Sequence, residues 1–266
     1  MHILKGYTKQ EISWMMYDWA NSAHSVIIVT LLPIFFDTVA GYTADSVSSM
    51  STWGYATSIA MLIVALAAPF LGVFGDIRGM RKKLFSFFML LGVAACAGMA
   101  FTPGMDFTSG PVAAGKVATL ILVLYIVSVI GFDASAIYYD AFLTDVTTED
   151  RMDKVSTMGY GLGYIGGSTI PLLIFLIMNL VGVPMLTCLA FVFGLTAVWW
   201  LAFSLPLLKN CEQTSGKPYE KGDVARSIKG VGTTIKEIIA NKPMLIYILS
   251  YFFYIDGVHT VISMAT

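Results

Sequence analysis

Of 266 residues, 57% are hydrophobic and only 12% charged, with a mean hydropathy of +0.76. Soluble domains carry about 25% charged residues, so the composition excludes them and marks an integral membrane protein. The net charge of −1 argues against a nucleic-acid partner, and Cys96, Cys188 and Cys211 share no spacing that would suit a metal or a disulfide set.

No short apolar core with a small-residue cleavage site precedes the first apolar run, so that run is expected to stay uncleaved. It extends from about Ile12 to Phe36, and its first half is unusually polar, with Trp14, Tyr17, Asp18, Asn21, Ser22, His24 and Ser25. At about 100° per residue, Trp14, Asp18, Asn21, Ser22 and Ser25 fall on one stripe, with His24 at its margin. Lipid offers such groups no partner, so the stripe should face protein or water. Asp18 with Asn21 could supply acceptors for a substrate ammonium group; alternatively, Asp18 reaches water and favours the positive helix end. His24 could titrate near neutral pH or be a hydrogen-bonded packing residue.

Asp37 to Thr52 reads as an outside loop without a cation. Spans two (Trp53 to Leu71) and three (Leu84 to Phe101) each hold about the ~20 residues that cross ~30 Å of hydrocarbon. The turn between them, Gly72 to Lys83, contains four cations in six residues, Arg78, Arg81, Lys82 and Lys83, which pin it to the cytoplasmic face. A second outside loop is expected over Pro103 to Gly115, then span four from about Val117 to Phe142.

Asp133 lies deep in span four, where an ionised carboxylate costs ~2.5–3.5 kcal/mol on insertion scales. It should therefore face the bundle interior, as a proton or substrate-amine site or as a lock on a neighbouring helix. Asp140, seven residues on, shares nearly the same helical angle. Asp140 and Asp145, near the cytoplasmic end, are candidate partners for Arg78 or Arg81 in an inward gate. Asp145 to Asp153 reads as a solvated turn.

Span five is expected from about Val155 to Val181. Gly159, Gly163 and Gly167 recur every four residues on it, a small-residue face for close helix packing. After a Gly182–Pro184 turn, span six ends near Leu208. Residues 209–243 form the one long polar segment, in which Val224, Ile228, Val231, Ile235, Ile238 and Ile239 recur with helical period opposite Arg226, Lys229 and Lys236. This predicts an amphipathic helix on the membrane surface or against the bundle. Apolar sequence resumes at Met244 as a seventh span, giving three expected segments: 1–208, 209–243 and 244–266. With the N-terminus inside, fifteen of sixteen cations are cytoplasmic and only Lys116 is outside, the bias the positive-inside rule requires.

Gly161 to Gly166 fits G-x-G-x-x-G but follows no strand, and no acidic residue stands about twenty positions on. Gly110 to Lys116 copies part of a phosphate loop, but Val117 replaces the magnesium-binding hydroxyl. No cofactor, metal cluster or enzyme chemistry is read. Asn21 to Ile27 echoes Asp256 to Ile262 at an offset of 235 residues, placing His259 where His24 stands and Asp256 where Asn21 stands. Asp256 and His259 are therefore further candidate substrate or proton residues.

Six spans, a long loop, an echo of span one and this charged turn together resemble the major facilitator superfamily. Gly72, Asp76, Gly79 and Arg81 match its G-x-x-x-D-(R/K)-x-G-R-(R/K) turn, whereas Ile77 and Met80 stand where cations are usual. Tyr17 to Ala23 (Tyr-Asp-Trp-Ala-Asn-Ser-Ala) and the glycines of Gly159 to Gly167 are similar to the vacuole-effluxer-like branch. The resemblance implies an all-α membrane protein, an N-terminal six-helix bundle plus the start of a second. It also implies a secondary transporter of a small solute, some relatives moving amino acids out of a compartment. The expected partners are the lipid bilayer, a small-molecule substrate and protons, and the expected location is a bacterial plasma membrane. The alternative is a non-transporting scaffold or inactive half that assembles with a partner.

Overall fold

The computed structural model describes residues 4–43, 49–216, 218 and 223–264, and among them every regular element is helical. Helix α1, Lys9–Ala40, begins on a capping box: the Thr8 hydroxyl accepts from the Glu11 amide at 3.1 Å, and the Thr8 amide donates to the Glu11 carboxylate at 2.7 Å. Two otherwise orphaned amide groups are satisfied at once, which sets the helix start. Helices α2 (Ser49–Gly75), α3 (Arg81–Met99), α4 (Pro111–Val146) and α7 (Met185–Asn210) are single rods. The fifth span is composite: α5, Met152–Leu162, passes through a π-helical turn, Gly163–Ser168, into α6, Thr169–Leu180. These six are long and apolar enough to cross a membrane, and the protein is a multi-pass membrane protein.

The helices overrun the expected spans. Helix α1 reaches Ala40 and α2 starts at Ser49, so the first outside loop is shorter than read; its residues 44–48 lie outside the described residues. Helix α4 takes in the last part of the expected Pro103–Gly115 loop, because Pro111 is pre-set for a helical first turn. The turn between α2 and α3 reverses through Gly79, whose φ of +80° is one that only glycine adopts without strain.

Helices α3, α4 and α7 meet where side chains are smallest. A methyl group on Gly131 of α4 would fall 2.6 Å from the Gly92 Cα of α3, and one on Gly92 would enter the Trp200 ring. Trp200 is fully buried at this crossing, in a core with Tyr17, Phe85, Met89, Phe142 and Phe193. Helix α2 lies outermost, burying only Ala56, Ala60 and Gly75 and turning Tyr55, Leu62 and Leu66 outward.

The chain separates into two compact units, Met1–Lys217 and Pro218–Thr266. In the second, α8 (Asp223–Ala240) continues through Gly230 and Gly232, then meets α9 (Lys242–Met264) at a bend of 98°. Asn241 makes the break, its side chain accepting from the Met244 amide at 3.2 Å to cap α9. The seventh apolar helix thus begins two residues before the expected Met244.

Candidate functional site

Helix α4 carries the deep carboxylate Asp133 and, two turns on, Asp140. Asp133 is half-buried and Asp140 exposed, and neither makes a hydrogen bond or ion pair among the described residues. An ionisable side chain at the depth of Asp133 faces the bundle interior or a water-filled cavity rather than lipid.

Facing α4, the Asp18 carboxylate of α1 accepts from the Tyr139 hydroxyl at 2.8 Å. Tyr139 is itself fixed, stacked on Trp14 at 4.3 Å, with the Trp14 indole donating to its carbonyl at 2.9 Å. Behind it runs a buried chain: the Trp200 indole donates to the Tyr17 hydroxyl at 3.3 Å, which shares a proton with Ser135 at 2.8 Å. Each such bond contributes about 0.5–1.5 kcal/mol. Together they hold α1, α4 and α7 in one register around Asp18. Asn21 is buried one turn on and makes no side-chain hydrogen bond among the described residues.

His24 occupies the packed interior rather than the stripe. Its Nε2 meets the Ser128 hydroxyl at 3.2 Å, its ring stacks on Phe132 at 4.8 Å, and its buried Nδ1 finds no partner among the described residues. The side chains of Asp256 and His259, on α9, lie outside the described residues.

The basic end holds a second cluster. Arg81 and Asp145 form a direct ion pair, with side chains 5% and 0% exposed. Breaking a buried pair by removing one member costs about 3–5 kcal/mol. Arg81 also donates to the Ala141 carbonyl at 3.0 Å and stands 3.9 Å from Asp76. Of the two carboxylates the sequence offered, Asp145 takes Arg81. Arg78 is exposed and unpaired among the described residues, and Asp140 meets neither cation. Gly72 lies in the last turn of α2 and Gly79 in the reversal.

Alongside, Glu11, 1% exposed, receives both Nε and Nη2 of Arg151 at 2.9 Å and the Thr147 hydroxyl at 2.7 Å. The start of α1 is thereby tied to the α4–α5 turn. Of the carboxylates read as a solvated turn, Glu149, Asp150 and Asp153 are exposed, whereas Asp145 is sequestered in the Arg81 cluster.

Gly159, Gly163 and Gly167 all face α1. A methyl group on Gly159 would lie 2.7 Å from the Asp18 carboxylate, on Gly163 2.6 Å from the Ser22 hydroxyl, and on Gly167 2.9 Å from Ser22 Cβ. The π turn adds a fourth, Gly166, whose missing side chain makes room for the Trp19 ring. Spacing by four gave no sign of Gly166, because the i→i+5 turn appears only in three dimensions.

Several residues around this site escaped the sequence reading. Tyr139, Ser135 and Trp200 look like ordinary residues of a spanning helix, and Tyr17 was read only as part of the polar half of the first span. Glu11 carried a usable signal, the Thr8-x-x-Glu11 capping box. Gln213, Thr214 and Ser215 looked like linker, yet they touch Arg81 or Asp145.

Residues 7–266 match the family described as vacuole effluxer Atg22 like. An uncharacterized MFS-type transporter of Bacillus subtilis, YxiO, is 40% identical over 272 residues, covering 99% of this chain and 61% of that protein. Two fungal proteins named autophagy-related protein 22-1 are each 27% identical. The one from Sclerotinia sclerotiorum aligns with 42% of this chain over 21% of its own length, and the one from Penicillium rubens with 41% over 20%. The chain thus spans about three fifths of the length of its Bacillus relative.

Proposed function

Since the chain belongs to the vacuole effluxer Atg22 like family of major facilitator transporters, we propose that it forms part of a secondary transporter. That transporter moves a small solute across the membrane by alternating access. The cleft wall in this unit is the face shared by α1 and α4, carrying Asp18, Asp133 and Asp140. The observation that carries this reading is Asp133, a half-buried mid-helix carboxylate that makes no hydrogen bond or ion pair among the described residues. It serves as proton site, while Asp18, steadied by Tyr139, receives a substrate ammonium group.

The substrate class is a small zwitterion such as an amino acid, in line with the effluxer name of the family. The positive-inside count places the N-terminus, the Gly72–Lys83 turn and α8 in the cytoplasm, and the Bacillus relative supports a bacterial plasma membrane. The Arg81–Asp145 pair then steadies the cytoplasmic gate.

In proteoliposomes loaded with a mixture of radiolabelled L-amino acids, an imposed pH gradient should drive transport by the native protein. Asp133→Asn should bring that flux to background. Transport and pH dependence equal to the native protein would remove Asp133 from the mechanism.

A further inference from the structure

The segment after α7 leaves the bundle's axis and lies down on the charged turn. Gln213 grips the turn from both sides of its amide: its oxygen accepts from the Gly79 amide at 2.8 Å and the Arg81 amide at 3.3 Å, and its nitrogen donates to the Gly75 carbonyl at 3.0 Å. The next two residues close on Asp145. Its Oδ1 accepts from the Thr214 amide and hydroxyl at 3.0 and 2.8 Å, and from the Ser215 amide and hydroxyl at 3.0 and 2.9 Å. The Ser215 hydroxyl also accepts from Arg81 Nη1 at 3.2 Å. Gly216 ends the contact at φ +118°, and a methyl group there would fall 2.8 Å from the Asp76 carbonyl.

Eight hydrogen bonds thus bind Gln213, Thr214 and Ser215 to the two partners of the buried pair and to the turn that carries Arg81. The two exposed hydroxyls are neutral, so they leave the charge of Asp145 available to Arg81 while fixing its orientation. We propose that Gln213, Thr214, Ser215 and Gly216 form a strap that positions the Arg81–Asp145 pair. Through it, the residues that follow α7 are coupled to the cytoplasmic gate. The strap rests on the gate reading of that pair. It predicts that undocking the strap lets the cytoplasmic end open more often, even with Arg81 and Asp145 intact.

The test uses the full-length protein in oriented proteoliposomes with a reporter, Ile137→Cys, one turn from Asp133 on the same side of α4. The readout is its rate of modification by a membrane-impermeant maleimide added from the cytoplasmic side. Gln213→Ala removes three of the strap's bonds, and Gly216→Ala drives a methyl group against the Asp76 carbonyl. Each should raise that rate at least about 5-fold, the effect of losing even one net hydrogen bond's stabilisation of the closed state. Gln213→Glu keeps an acceptor for the Gly79 and Arg81 amides but sets a carboxylate against the Gly75 carbonyl, and should give an intermediate rate. Arg81→Ala is the reference.

If Arg81→Ala raises the rate while Gln213→Ala and Gly216→Ala leave it unchanged, the strap inference fails and the gate stands. If Arg81→Ala leaves it unchanged, the gate reading fails and the strap with it. Hydrogen exchange at the Thr214 and Ser215 amides guards against misfolding. In a folded strap variant only these amides and those of the turn lose protection, whereas a global loss of protection in both variants would overturn the positioning role.

Discussion

Cys211 shows how far burial rather than sequence context sets the chemistry of a side chain here. It stands one residue past α7, fully buried, with its thiol directed at the Gln10 carbonyl. Burial disfavours the thiolate and pushes the thiol up to about 12, against 9.0 for an ordinary cysteine; the nearby Lys82 charge pulls the other way and Asp145 adds to the rise. Only the thiolate attacks an alkylating reagent, and each unit is a factor of ten in its population. At pH 8 the folded protein should therefore alkylate Cys211 about 10³-fold more slowly than the denatured chain does. The rate should climb tenfold per unit as pH rises toward 11. Mass-spectrometric counting of iodoacetamide adducts measures this, and equal rates in folded and denatured protein would refute the burial. Asp18 is likewise defined by its neighbours: the Tyr139 hydroxyl supplies the hydrogen bond that water would supply at the surface.

At the scale of the element, the fifth span departs most from a plain rod. Its π turn lies against α1 at Gly163, Gly166 and Gly167, under the Trp19–Trp199 stack. Gly166→Ala would place a methyl group inside the Trp19 ring, so the ring must leave its stack. Overpacking of this kind costs about 1–3 kcal/mol. On Gly161, in α5 of the same span, a methyl group would meet nothing within 4 Å, so Gly161→Ala should be neutral or slightly stabilising. Thermal unfolding in detergent separates the two, with a lowered midpoint and changed tryptophan emission for Gly166→Ala alone; equal midpoints would mean that Trp19 does not pack there.

The same span marks the limit of what the sequence told. Six helices could be read from apolar runs of membrane length, and the reversal at Gly79 from its cluster of cations, because both signals are local. The π turn, the Trp200–Tyr17–Ser135 chain and the Gln213 strap depend on residues 118 to 183 positions apart or on a helix register that no periodicity announces. Asp133 was visible as a deep carboxylate, and Asp18 and Asp140 as carboxylates nearer the helix ends, but which of them is partnered was not. Tyr139 holds Asp18, while Asp133 and Asp140 make no hydrogen bond or ion pair among the described residues.

For the molecule as a whole, every functional assignment depends on which membrane face carries the basic end. Within the first unit, Glu11–Arg151, Arg81–Asp145 and Gln213–Gly79 all gather at that end, so the starts of α1, α3 and α5 and the ends of α2, α4 and α7 share one face by contact. Arg78 is exposed there, while Lys116 is exposed near the start of α4, at the far end of a 36-residue helix about 54 Å long. Lys236, exposed on α8, belongs to the second unit and provides an independent reading of that unit's side. A cytoplasmic basic end requires Arg78→Cys and Lys236→Cys to react with an impermeant maleimide only from the cytoplasmic face, and Lys116→Cys only from the opposite face. In right-side-out vesicles Lys116→Cys should label to completion and the other two should remain at background until the membrane is permeabilised. If Arg78→Cys and Lys236→Cys were to label from opposite faces, the chain between them would cross the membrane an odd number of times; α8 would then be no cytoplasmic helix, and the strap would have no linker to couple to the gate.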